Sequence, residues 1–276
     1  LQQLRLSKQS KPVDPQNRNA ALAVLQATRA GTAWPLPVEQ IMPDKHLSSR
    51  FDTELARVST KLLEMGGLVE SQIACVLEAL KTFDLALIEH VGDAERRLNL
   101  MEIEIDDEVV NVIARRQPAA SDLRLLMATL KCAANLERVG DEARKIAKRT
   151  RRVAVDAGAW KLNIAEIKTS GEMATQMLRR ALNAFARMDA TAAAQIVRDD
   201  EAIDAEFRAG VVKLVTSMKE DPRTVRIGLD YLLIAKSIER IGDHATNIAE
   251  SVVYVVRGTD IRHEHRKQRG HEIYGK

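Results

Sequence analysis

The sequence predicts an all-α fold of two tandem, pseudo-symmetric three-helix bundles, and three observations carry that expectation. The first is a phrase that occurs twice. Asn135-Leu136-Glu137-Arg138-Val139-Gly140-Asp141-Glu142-Ala143 returns 102 residues later as Ser237-Ile238-Glu239-Arg240-Ile241-Gly242-Asp243-His244-Ala245. The same offset aligns Arg124 with Arg226, Leu130 with Leu232 and Ala133 with Ala235, so a whole helix is repeated. The second is that apolar residues recur at spacings of three and four, with no strand-like alternation. The third is composition: aromatics make up 3%, while Ala, Leu, Ile, Glu and Arg, mostly good helix formers, are plentiful.

Taken in order, residues 1–44 form an N-terminal extension. Lys11-Pro12-Val13-Asp14-Pro15 and Trp34-Pro35-Leu36-Pro37 flank a short Ala-rich stretch, which predicts disorder with a transient helix over 20–29. The first repeat is expected over 45–155. Phe51, Leu55, Val58, Leu62, Met65 and Val69 open a helix from about Ser48 to Phe83, and a second runs from Ala86 to about Ala114. Pro118 stops it, and Ser121-Asp122 is expected to cap a third that reaches about Val153. The second repeat, 163–257, follows the same plan: Ile167 to Met188, a slightly shorter turn, Thr191 to Lys219, then Thr224 to Arg257 after Asp221-Pro222-Arg223. A basic tail, 258–276, closes the chain.

The net charge of +3 is unevenly placed. Residues 1–40 hold five Lys/Arg against two Asp/Glu, residues 257–276 hold six against three, and the body between them is mildly acidic. With no basic stripe interleaved with aromatics, the body does not read as a nucleic-acid-binding face. No apolar run approaches the roughly 18 residues of a membrane span. Cys75 and Cys132 sit inside helical apolar patterns and read as small buried hydrophobes rather than a disulfide.

Each copy of the phrase places two carboxylates four residues apart on one helix face: Glu137 with Asp141, and Glu239 with Asp243. Like charges at that spacing destabilise a free helix by roughly 0.2–0.5 kcal/mol, and a mid-helix glycine costs about 1 kcal/mol relative to Ala. Gly140 and Gly242 therefore point to close approach of another backbone or a bulky ligand, and the carboxylate pairs to a shared cation. Asp200 and Asp204 form another i, i+4 pair in the second helix of the second half. The matching stretch of the first half offers Glu95 and Asn99, where an amide replaces a charge. Oxygen-only donors suit iron, manganese or magnesium better than structural zinc. The competing reading is ion pairing within the helices, Asp141 with Lys145 and Lys236 with Glu239. The Glu-x-x-His pairs of ferritin-like di-iron enzymes, nucleophile elbows and phosphate loops are not found, so the chain reads as non-catalytic.

Met65-Gly66-Gly67-Leu68-Val69-Glu70, Ile113-Ala114-Arg115-Arg116-Gln117-Pro118-Ala119-Ala120-Ser121-Asp122-Leu123-Arg124, the two Glu-Arg-x-Gly-Asp phrases and Glu220-Asp221-Pro222-Arg223-Thr224 resemble the PhoU family of bacterial phosphate-uptake regulators, over about 45–257. The resemblance implies two symmetric three-helix bundles and metal clusters at the acidic motifs, which here are Glu137, Asp141, Glu239, Asp243, Asp200 and Asp204. Glu95 and Asn99 occupy the fourth motif, with Asn99 departing from it. It also implies a homodimer and a negative regulator of the phosphate-starvation response. Such a protein acts in the cytoplasm, at the inner membrane, between the ATPase subunit of the phosphate ABC transporter and a sensor histidine kinase. A phosphate-binding enzyme and a plain helical scaffold remain the alternatives from other classes. The tail around His263 and His265 offers either metal ligation, contact with anionic lipid, or a solvated basic segment.

Overall fold

The computed structural model describes residues 49–156 and 164–261, all of which lie in one compact unit. The expected disorder and transient helix of the N-terminal extension, and the histidines of the basic tail, lie outside the described residues. Six long helices account for nearly all of the rest: α1 (Ser49–Thr82), α2 (Leu85–Arg116), α3 (Ala120–Asp156), α4 (Ala165–Arg187), α5 (Ala190–Glu220) and α6 (Val225–Arg257). The apolar stripe of α1 is buried from Phe51 to Leu80, as its periodicity requires.

The turns show how the repeat is kept. Phe83 reverses the chain at φ 56, and the Asp84 carboxylate accepts from the Ala86 amide at 2.8 Å to cap α2. Met188 does the same at φ 49, followed by Asp189, which accepts from the amides of Thr191 and Ala192 at 2.9 Å. The expected shorter turn is therefore not there. The two turns match residue for residue, and α4 instead runs three residues further than α1, so the second helices are offset by 105 rather than 102. The start of α3 also differs from expectation. Ser121 and Asp122 lie inside its first turn, because α2 ends at its cap Gln117, φ 48, and the next helix already opens at Ala119, whose carbonyl accepts from the Leu123 amide at 2.9 Å. In the second half Asp221 accepts from the Arg223 amide at 3.1 Å, forming a single 3-10 turn, Pro222–Thr224, that leads into α6. Gly258, at φ 70, ends α6 in the left-handed conformation that glycine adopts without a steric penalty.

α1–α3 pack as one bundle and α4–α6 as the other, and the most extensive helix contact in the unit is between α3 and α6, across the two repeats. That pair is antiparallel: the Arg124 guanidinium donates to Val255 O at 3.3 Å at one end, and Arg149 pairs with Asp230 at 3.4 Å at the other. α1 and α4 also run antiparallel. A Cβ on Gly66 would stand 2.7 Å from Leu182 Cδ1, and one on Gly171 2.6 Å from Leu77 Cδ2, so each helix presses a leucine onto the other's glycine. Leu62, Leu98, Leu136, Ile146 and Phe185 are among the fully buried side chains, each worth roughly 1.5–3 kcal/mol of apolar burial. Cys75 and Cys132 are free and buried among them, and burial pushes the Cys132 thiol up to about 12. Among the described residues no helix is long and apolar enough to cross a membrane.

Candidate metal-binding carboxylates

The repeated glycines have a different explanation from the one their sequence suggested. A Cβ on Gly140 would lie 2.5 Å from Leu98 Cδ1 of α2 and 3.1 Å from Gln72 Oε1 of α1; one on Gly242 would lie 3.3 Å from Ile203 Cδ1 of α5. What approaches is a side chain of the second helix of each bundle, neither backbone nor ligand. Leu98 and Ile203 are related by the 105-residue offset, which also relates Glu95 to Asp200 and Asn99 to Asp204. The glycine therefore sets how closely each motif helix sits against its acidic neighbour.

In the second half this brings α5 and α6 carboxylates together. Asp200 is buried, with Oδ1 4.0 Å from where a Gly242 Cβ would stand. Asp243 reaches the surface, yet its surroundings are crowded: packing, then Glu239, Asp200 and Asp204, push its carboxyl up to about 6. Glu239 Oε2 lies 2.6 Å from Lys236 Nζ, the ion pair its spacing allowed, but off the direction a hydrogen bond requires. Glu239, Asp200 and Asp204 thus all repel the Asp243 carboxylate, and Lys236 partly offsets them.

The first half differs by more than Asn99, which lies exposed on α2. Arg144 is inserted among its acids, 3.2 Å from Glu95 and 3.3 Å from Asp141. It takes the place of the expected partner Lys145, which turns instead to Glu142 at 2.9 Å. Glu137 is still held above the ordinary carboxylate range by burial, then by Asp141, Glu102 and Glu95. The second-half counterpart of Arg144 is Thr246, whose hydroxyl bonds Gly242 O at 3.2 Å. The first half sets a guanidinium between two of its acids, whereas the second sets Lys236 beside Glu239.

Among the described residues no three or more His, Cys, Asp or Glu are gathered in a metal-holding arrangement. The chemistry of the second-half set nevertheless fits a hard cation. Its donors are all oxygen, its charge is in excess, and the buried Glu239 oxygen has no aligned donor. The first-half set fits less well, since Arg144 already answers two of its acids.

A second polar cluster lies in the α3/α6 seam. Asn135 Oδ1 meets His244 Nδ1 at 3.0 Å and Asn247 Nδ2 at 3.2 Å. Burial pushes the carboxyl of Glu142 upward, but hydrogen bonds from Lys145, Ser237 and Arg240 overcome this and leave it below its ordinary range. Burial, then Arg138, drives the His244 pKa down to about 4, so the ring is neutral. Sequence reading passed over this cluster, although Glu142 and His244 occupy equivalent positions in the two phrases.

The fold and these motifs define a class: a duplicated three-helix-bundle protein whose repeated helices carry carboxylate pairs against an acidic neighbour. The PhoU domain family matches residues 62–150 and 167–252, one match per repeat, and the chain belongs to that family. It is similar to the phosphate-specific transport system accessory protein PhoU homolog of a Burkholderia species, 52% identical over 224 residues that cover 80% of this chain and 95% of that one. The Escherichia coli K12 protein, named phosphate-specific transport system accessory protein PhoU, is 41% identical over 222 residues, covering 80% and 90%. The crystal structure of PhoU from Pseudomonas aeruginosa superposes with a TM-score of 0.73 at 44% identity, covering 76% of this chain and all of that one. These names describe accessory proteins of transport; none is an enzyme name.

Proposed function

We propose that this protein is an accessory and regulatory component of a phosphate transport system that represses the phosphate-starvation response when phosphate is sufficient. It acts as an adaptor between the transporter's ATPase subunit and a sensor histidine kinase, peripheral to the inner membrane through those partners. The observation that carries this reading is the family match across both repeats, reinforced by the named relatives at 41–52% identity. An adaptor without chemistry of its own acts by binding one partner conformation better than another, so its effect is bounded by that difference in affinity.

Metal belongs to the same reading. Asp200, Asp204, Glu239 and Asp243 would hold an iron, manganese or magnesium ion in the second half, and Glu95, Glu137 and Asp141 would hold a weaker one in the first. A bound cation would relieve the repulsion around Asp243 and stiffen α5 against α6, which makes the partner surface depend on metal. Copurification tests the adaptor role: tagged protein from cells in high phosphate should retain the ATPase subunit and the kinase. Retention of neither, in high or low phosphate, would refute it.

A further inference from the structure

Lys236 stands where the second-half carboxylates meet an aromatic ring. Its Nζ lies 2.6 Å from Glu239 Oε2, one turn along α6, and 5.5 Å from the centroid of the Phe207 ring on α5. Burial, then the neighbouring acids, push the Asp243 carboxyl up, and Lys236 acts against them. The Lys236 side chain is 45% exposed and that of Glu239 13%, so the ammonium keeps water on one side while the carboxylate it covers is nearly shut in.

The repeat shows that three-helix packing does not require this arrangement. The first half has Ala134 in place of Lys236, by the 102-residue offset, and Glu102 in place of Phe207, by the 105-residue offset. There burial, then Asp141 and Glu102, hold Glu137 up, whereas in the second half a lysine and a ring end the acidic row. The first half also holds its own cation differently. Arg144 bridges two helices, 3.2 Å from Glu95 on α2 and 3.3 Å from Asp141 on α3, with one planar guanidinium shared by two acids. Lys236 is a point charge on a flexible stem, set on one carboxylate and out of line for a hydrogen bond. Of the two cations it is the one built to leave.

We propose that Lys236 is an exchangeable counter-ion of the second-half carboxylates, seated on Glu239 Oε2 in the metal-free protein and withdrawn onto the face of Phe207 when a divalent cation takes that oxygen. The proposal rests on the metal reading of Asp200, Asp204, Glu239 and Asp243. At 5.5 Å the ammonium stands near the outer limit, about 6 Å, at which an aromatic face attracts a cation, so turning its stem strengthens that contact as it leaves the carboxylate. Phe207 therefore favours the lysine's displaced position over its release into water beside a second cation. The exchange makes the site selective by charge: a divalent ion gains more from the carboxylates than the ammonium does, and a monovalent ion gains no more.

The test is calorimetric titration of the metal-free full chain with Mn²⁺, varying Lys236 and Phe207 separately and together. Lys236→Met should tighten binding at the second-half site about tenfold, because no ammonium competes for Glu239. Phe207→Leu should weaken it about threefold, because the displaced ammonium loses its seat. In the Lys236→Met background Phe207→Leu should change nothing, which separates a seat for the lysine from packing by the ring. Glu239→Gln with Asp243→Asn identifies the heat that belongs to this site, and unchanged helical circular dichroism confirms the fold. Binding by Lys236→Met at wild-type affinity or weaker would overturn the exchange and leave the metal reading standing, as would equal weakening by Phe207→Leu with and without the lysine. Failure of both wild type and Lys236→Met to bind Mn²⁺ would overturn the metal reading and the exchange together.

Discussion

Gly140 and Leu98 fit together so closely that a single methyl group at the glycine would lie 2.5 Å from the leucine Cδ1. Leu98 is fully buried, and Gln72, whose Oε1 stands at 3.1 Å on the other side, is held by its amide on Val91 O at 2.9 Å. Gly140→Ala gains about 1 kcal/mol of helix propensity and loses roughly 1–3 kcal/mol to overpacking. Denaturant unfolding should show net destabilisation. Gly242→Ala meets Ile203 at only 3.3 Å and should be neutral or slightly stabilising. Equal effects in the two halves would contradict this account of the glycines.

Arg144 stands among the first-half acids where the second half has Thr246, so cation sites built on the two sets should be unequal. Glu239→Gln with Asp243→Asn should remove most of the bound metal, measured by elemental analysis, whereas Glu137→Gln with Asp141→Asn should remove less. Arg144→Thr copies the second half into the first. It should raise first-half affinity by roughly tenfold, the equivalent of about 1.4 kcal/mol of screened repulsion relieved. Calorimetric titration of metal-free protein should resolve two classes of site, and a single class would count against the asymmetry.

Asp243 should make metal binding depend on pH. Its carboxyl titrates near 6 in the fold, so at pH 5 a proton must be displaced and affinity should fall about tenfold relative to pH 7. The sign for folding follows from the same shift. A raised folded pKa means that the native state holds the proton more tightly, so this contribution is present below the ordinary carboxylate range and is lost as pH rises through about 6. Asp243→Asn should therefore stabilise metal-free protein at neutral pH, by no more than about 1 kcal/mol because the group is at the surface. Destabilisation by that substitution would show that the repulsion is not there.

His244 runs the other way. Its pKa falls to about 4 in the seam, so its contribution to stability is present above about 6.5 and is lost as pH drops toward 4. Groups facing it are Glu142, Lys145 and Arg138 from α3, with Arg240 on its own helix. His244→Gln should lose less stability than wild type between pH 6.5 and 4 in thermal unfolding. Identical pH profiles would remove the ring from the seam's electrostatics.

Much of this was legible from residue spacing. The 102-residue offset and the buried stripe of α1 follow from periodicity, because packing must cover an apolar face at every turn. The equivalence of Asn99 with Asp204 was also readable, since both keep their distance from a chain reversal. What spacing could not show is which face of α3 meets α6. The seam of Asn135, Glu142 and His244 depends on that antiparallel pairing across more than 100 residues. Arg144 could have been noticed, because the alignment sets it against Thr246. Its reach back to Glu95 needs α2 in place, and i, i+4 reasoning favoured Lys145 instead.

The measurement that bears most directly on the account is expression of a phosphate-starvation reporter, in high phosphate, in a strain lacking this protein. The deletion should express the reporter constitutively, and the full chain supplied in trans should restore repression. The folded Glu239→Gln, Asp243→Asn variant should restore it only in part, as expected if metal shapes the partner surface. A deletion strain that keeps the reporter silent in high phosphate would contradict the regulatory role itself.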